Sequence, residues 1–203
     1  MKRDFAYRVG LADLEQGVPT IGRIARGLNN VQSAFYFTPQ RLAAPRQALK
    51  RMDGLQQLYI PSLPKSFYDR IGPLEMDCVI CLTRRLLAFE EQDSVLYNYL
   101  AGRSPTDPRV LFISYTDLSA HARAADVTLD VAVTYLVTAE LVDYFMDLGY
   151  HKETRMCPMD FTEQHSDLVG GLRVGRFCRF CSRTLEKSRR FGKAFKAMIA
   201  WGR

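Results

Sequence analysis

Residues 151–181 read HKETRMCPMDFTEQHSDLVGGLRVGRFCRFC and set four zinc-capable side chains at the spacing His151-x5-Cys157-x20-Cys178-x2-Cys181. A closed structural zinc site takes four Cys or His ligands in a tetrahedron, and a Cys-x2-Cys turn commonly supplies half of it. Pro158 follows Cys157, while Gly170, Gly171 and Gly175 predict a loose loop between the two halves. Arg176 and Arg179 flank the second pair and favour its thiolates electrostatically. The expectation is one structural Zn2+ held by His151, Cys157, Cys178 and Cys181. The competing reading of the same residues is three buried thiols and a surface histidine.

On the N-terminal side of this stretch, Thr128 is placed to cap the longest helical pattern in the chain, residues 129–148, with Gly149 as its stop. The pattern is apolar nearly all round, which predicts a central packing helix. Glu140, Asp143 and Asp147 trace one face of it and read as a solvated stripe. Beyond Cys181 a last helix is expected, broken or bent near Gly192, with Phe191, Phe195, Met198 and Ile199 on one side.

Further toward the N-terminus, strands are predicted at 5–12, 33–38, 77–83, 95–100 and 109–115, the last two as an antiparallel pair. Helices are predicted from the Pro19-Thr20 start through Val31, from Pro39 to an Asp53-Gly54 stop, around Phe67–Ile71, over 84–91, and from Thr116 or Ser119 to Ala125. His121 on this last helix reads as a solvated side chain. Cys78 and Cys81, three apart on a strand, point to opposite faces and read as apolar filler. These elements define an α/β fold, or α+β with a mixed sheet of four or five strands. We expect one domain over 1–203, with the zinc loop (151–181) and a basic C-terminal helix (182–203) inside it.

The 203 residues suffice for one well-buried core, and 47% hydrophobic with 25% charged residues is ordinary globular composition. The N-terminal MKRDFAYR has no apolar core of signal-peptide length, and no apolar run reaches membrane-spanning length. Five cysteines, an odd number, suit reduced thiols and metal better than disulfides. A cytoplasmic protein is expected. The net charge of +6 is uneven: from Leu172 onward ten Lys or Arg stand against the single acid Glu186, a net of +9, leaving −3 for the rest.

A long helix ending near Gly149, a His just beyond it, then Cys157-x-Met159 and a downstream Cys-x2-Cys resemble the archaemetzincins, zinc peptidases of the metzincin class. Their motif is H-E-x2-H-x2-G-x2-H-C-x4-C-x-M followed by C-x2-C. With His151 on the third motif His, Cys157 and Met159 match, and Cys178-x2-Cys181 falls within one residue of its place. In that register Leu141 and Phe145 stand at the two helical zinc-binding His, Val142 at the general-base Glu, and Lys152 at the first structural Cys; Gly149 sits one residue late. A peptidase zinc needs three protein ligands, an open position and a carboxylate base, so the resemblance implies a metzincin-like scaffold without that chemistry. It also implies that the family's second, structural zinc persists here. His151 or His165 supplies its fourth ligand, and Asp160 would accept from the ring N–H of the ligating His.

The functional expectation is therefore a non-catalytic zinc-binding protein, a pseudoenzyme, that binds a protein or nucleic-acid partner. One alternative is an enzyme of unrecognised type using carboxylates near the long helix. The other is nucleic-acid binding through the basic helix by Arg183, Lys187, Arg189, Arg190, Lys193 and Lys196.

Overall fold

The structure, a computed structural model, describes residues 6–15, 21–52, 54–91, 94–162 and 165–203, without the side chains of Tyr97, Asn98 and His165. The first strand, β1 (Tyr7–Asp13), ends in five buried residues. Helix α1 (Ile21–Val31) buries Ile24, Ala25 and Leu28 at helical spacing. The Pro19-Thr20 start expected for it lies outside the described residues. The aromatic strand is β2 (Phe35–Gln40), with Phe35 and Phe37 on its buried side.

The stretch after Pro39 is not the expected helix. Arg46–Ala48 makes one 3-10 turn, and the chain then runs as a hairpin of β3 (Leu49–Met52) and β4 (Leu55–Tyr59). Met52 pairs with Leu55 and Gly54 between them has a φ of +76°, while Asp53 of the expected Asp53-Gly54 stop lies outside the described residues. Asp-Gly is the favoured pair in two-residue hairpin loops because its turn twists as the strands do. Read as a helix stop, it was a hairpin signal.

A short helix, α2 (Lys65–Asp69), precedes β5 (Cys78–Thr83), all six of whose residues are buried. Cys78 and Cys81 are fully buried in it, as expected of apolar filler, and burial pushes the Cys81 thiol up. Residues 84–91 are a second correction: they contain β6 (Leu87–Glu91), because Leu87 pairs with Leu58 of β4 and local helical preference yields to that pairing. Strands β7 (Ser94–Tyr99), β8 (Ala101–Arg103) and β9 (Val110–Ser114) follow.

Two mixed sheets form, one five-stranded in the order β2-β1-β5-β9-β8 and one four-stranded in the order β3-β4-β6-β7. In the first, β5 lies between parallel partners β1 and β9. Strands β7 and β9, expected to pair, lie in different sheets; the antiparallel partner of β9 is the three-residue β8. Apart from Phe35, both sheets belong to one compact unit, residues 7–25 and 36–116, whose core gathers Leu58, Phe67, Val79, Leu87 and Phe112.

Residues 26–35 and 117–203 belong to a second compact unit. It contains α3 (Leu118–Ala124), α4 (Leu129–Met146), α5 (His165–Val174), α6 (Arg179–Lys187) and α7 (Phe191–Ala200). Neither Thr116 nor Ser119 caps α3; its N-cap is Asp117 in the left-handed region. His121 is buried, not solvated. Thr128 does cap α4, its hydroxyl accepting the Val131 amide at 3.3 Å. The helix stops at a left-handed Asp147, two residues ahead of Gly149.

Helix α4 is buried on most of its circumference, as its composition requires. Glu140 is buried as well and accepts a hydrogen bond from the Tyr150 hydroxyl, so the carboxylates are not one solvated stripe. Phe145 packs with Phe35 and Phe191 at ring-centroid distances of 5.2 and 5.6 Å, and Phe195 joins Phe35 at 5.3 Å. Gly170 and Gly171 do not loosen a loop; they lie inside α5. A Cβ on Gly171 would sit 2.3 Å from the Tyr135 hydroxyl of α4, so glycine sets how closely the two helices approach. The basic C-terminal segment is two helices, α6 and α7, broken at residues 188–190. Among the described residues no helix is long and apolar enough to cross a membrane.

Candidate metal centre

The site is built from two short pieces of backbone. In the first, the His151 amide donates to the Met159 carbonyl at 2.6 Å and the Phe161 amide donates to the His151 carbonyl at 2.9 Å. Cys157 sits in the turn between them, its carbonyl accepting from the Asp160 amide at 3.0 Å. Asp160 is buried, and its Oδ2 accepts from the amides of Arg155 and Cys157 at 2.8 and 2.9 Å. Asp160 thus shapes the loop that carries Cys157, and among the described side chains no histidine ring donates to it. Its Oδ1 is buried with no hydrogen-bond partner among the described residues.

The second piece is the start of α6. Cys178 is the N-cap, its sulfur accepting from the Cys181 amide at 3.5 Å, while the Cys178 amide donates to the Cys157 sulfur at 3.3 Å. Amides left unpaired at a helix start carry partial positive charge, which favours sulfur as thiolate. The Cys-x2-Cys spacing thus works through a helix start.

These pieces bring His151, Cys157, Cys178 and Cys181 together, with all four ligand atoms within 4.8 Å of one another. His151 Nε2 lies 3.1 Å from Cys181 Sγ and 3.4 Å from Cys178 Sγ. Bonds of about 2.0 Å to nitrogen and 2.3 Å to sulfur put tetrahedral ligands roughly 3.5–3.8 Å apart, so small shifts close the group around one Zn2+. Three sulfurs and one imidazole are a donor set that suits zinc. Cys157 and Cys181 are buried, His151 and Cys178 half-buried, and the Phe180 ring packs edge-on to His151 at 6.0 Å.

The thiols are unequal. A hydrogen bond from the Cys181 thiol, helped by the backbone amides of Cys178 and Met159, holds Cys157 down to about 5. That same bond, with burial, pushes Cys181 up. A divalent cation bound here would displace thiol protons. Among the described residues no other group of three or more His, Cys, Asp or Glu side chains is gathered in this way. His165 opens α5, but its side chain lies outside the described residues.

The positions in register with a peptidase motif are occupied differently. Leu141 and Val142 are fully buried in α4, and Phe145 belongs to the aromatic cluster. The basic residues Arg183, Lys187, Arg189, Arg190, Lys193 and Lys196 are exposed on α6, α7 and the break between them. Lys196 is ion-paired with Glu186 at 2.8 Å.

A long apolar helix thus leads into a Cys3His group in a mixed α/β chain. The chain has the archaemetzincin fold. It superposes on archaemetzincin from Methanopyrus kandleri with a TM-score of 0.57 at 19% identity, over 89% of this chain and 96% of that one. Archaemetzincin from Archaeoglobus fulgidus, solved with malonate, gives 0.55 at 12% identity, over 87% and 99%. A zinc-dependent peptidase from Methanocorpusculum labreanum gives 0.54 at 13% identity, over 87% and 98%. No protein-family profile and no curated protein sequence matches the chain.

Proposed function

We propose that this chain is a non-catalytic, zinc-stabilised protein on an archaemetzincin scaffold, a pseudoenzyme that acts in the cytoplasm by binding a protein or nucleic-acid partner. The observation that carries the reading is the contrast between two sites. A closed donor set of His151, Cys157, Cys178 and Cys181 is gathered for one metal ion. The helical positions that would hold a catalytic zinc and its base are Leu141, Val142 and Phe145, none of which offers a donor atom. Phe145 packed among Phe35, Phe191 and Phe195 supports it, because an apolar aromatic cluster neither binds nor hydrates a metal. A bound Zn2+ at the Cys3His group would cross-link the His151–Phe161 loop to the start of α6, and with four protein ligands it would leave no open position for substrate.

The test combines metal analysis with a peptidase assay. The purified protein is expected to carry close to one zinc per chain, and Cys157→Ser or Cys178→Ser to lose it. No chelator-sensitive hydrolysis of unstructured peptides is expected, even with added zinc. Full metal content in either variant would remove the assigned ligands. Peptidase activity that a chelator abolishes and zinc restores would overturn the non-catalytic reading.

A further inference from the structure

We propose that a cleft in the second unit, between the turn at residues 31–34 and the first turn of α7, binds the phosphodiester backbone of a nucleic acid, seating a phosphate on Arg189, Arg190 and Lys193. This rests on the reading that the chain acts by binding, and it names the partner.

The cleft has a volume of about 410 Å³, and among the described residues no carboxylate lines it. One wall is the turn at residues 31–34; the other is Arg189, Arg190, Lys193 and Ala194. The first wall is held firmly. Gln32 is buried, its amide donates to the carbonyls of Leu28 and Phe35 at 3.1 and 2.8 Å, and its oxygen accepts from the Phe35 amide at 2.8 Å. The second wall is strongly positive. Arg189 and Lys193 are exposed and make no ion pair among the described residues, whereas nearby Lys196 is neutralised by Glu186. Arg190 is the N-cap residue of α7, so the positive end of that helix adds to the same field.

Arg189 and Lys193, four residues apart, repel each other, and an anion in the cleft relieves that repulsion. A polyanion is favoured over a small one because exposed Arg183 and Lys187, one helical turn apart on α6, extend the basic surface. An anionic membrane is disfavoured. Phe195, Met198 and Ile199 of α7 are buried, so the helix has no free apolar face to insert. Among the described residues no aromatic ring lines the cleft, so contact is with phosphate rather than stacked bases, and binding is tolerant of sequence.

The test uses the full-length, zinc-loaded protein and fluorescently labelled 20-nucleotide DNA and RNA, as duplexes and as single strands, in anisotropy titrations at several salt concentrations. With about five cationic contacts, log K against log salt for the DNA duplex should fall with a slope of about −4.5. Replacing Arg189, Arg190 and Lys193 together by Ala should weaken binding at low salt at least tenfold and flatten the slope by about 3. Ser33→Asp puts a carboxylate on the opposite wall without removing a cation, and it should weaken binding several-fold. Zinc content and circular dichroism should be unchanged in both. The proposal is overturned if the parent binds none of the oligonucleotides, or if either variant binds as the parent does. Tighter binding to vesicles of anionic phospholipid than to any oligonucleotide, or equal affinity for inorganic phosphate, overturns it too. A protein that lacks zinc yet shows the expected salt slope would fail the metal assignment while leaving this one standing.

Discussion

Cys178 caps α6 with a sulfur that accepts the Cys181 amide, and its own amide points at the sulfur of Cys157. Ser or Asn would cap the helix as well, but neither supplies a soft thiolate to a metal. Asp160 shows a related economy, since one carboxylate oxygen holds the two amides that set the Cys157 turn. A second carboxylate gives a pH prediction. Asp107 accepts from the Arg109 amide at 3.0 Å and from its guanidinium at 3.1 and 2.8 Å. The Arg109 hydrogen bond holds its carboxyl below the ordinary 3.8. A lowered folded-state value stabilises the fold above the unfolded pKa, and that contribution is lost as pH falls through the folded value. Asp107→Asn is expected to cost under about 1 kcal/mol at pH 7, because the pair is partly exposed, and less at pH 2.5. Urea unfolding of parent and variant at both pH values checks this, and a gap that widens on acidification would contradict it.

Among the elements, α5 and α7 depend on what their glycines allow. Replacing a helix-interior glycine by alanine ordinarily gains about 1 kcal/mol. At Gly171 the added Cβ would meet the Tyr135 hydroxyl at 2.3 Å, and Tyr135 is too deeply buried to swing aside. Overpacking of this kind costs about 1–3 kcal/mol, so Gly171→Ala is expected to be net destabilising. Tyr135→Phe in the same chain removes the 2.3 Å contact and leaves a ring carbon at 3.2 Å, so the double variant should recover part of the loss. At Gly192 the obstacle is the backbone carbonyl oxygen of Leu185, 2.2 Å from a Cβ, and no side-chain change should rescue Gly192→Ala. Chemical denaturation of the three variants and the parent decides it; a stabilised Gly171→Ala would refute the close approach.

At the scale of the whole molecule, all four metal-capable side chains belong to the second unit, while the parallel strands β1, β5 and β9 belong to the first. Zinc binding at such sites contributes on the order of 10 kcal/mol to folding. Chelation is therefore expected to raise amide hydrogen exchange in residues 151–161 and in α6 well before it does so in β5. Simultaneous loss of protection in β5 and α6 would show the whole chain unfolding as one step.

The sequence by itself determined whatever depends on neighbours along the chain. The Thr128 cap, the apolar length of α4, the buried strand at Cys78–Thr83 and the apolar side chains at the motif positions are local features, legible from periodicity and residue chemistry. So was the spacing of His151, Cys157, Cys178 and Cys181, because a Cys-x2-Cys pair lies within one turn of chain. Tertiary structure decided what depends on partners far away in sequence. Leu87 is in a strand because Leu58 pairs with it, and β9 takes β8 rather than β7 because β6 claims β7. Gly171 lies inside α5, where Tyr135 leaves no room for a side chain, and Glu140 is buried against Tyr150. The basic residues show the same division. Their charge was evident from composition, but the wall at residues 31–34 that makes a cleft of Arg189, Arg190 and Lys193 comes from a segment more than 150 residues away, and no local pattern records that meeting.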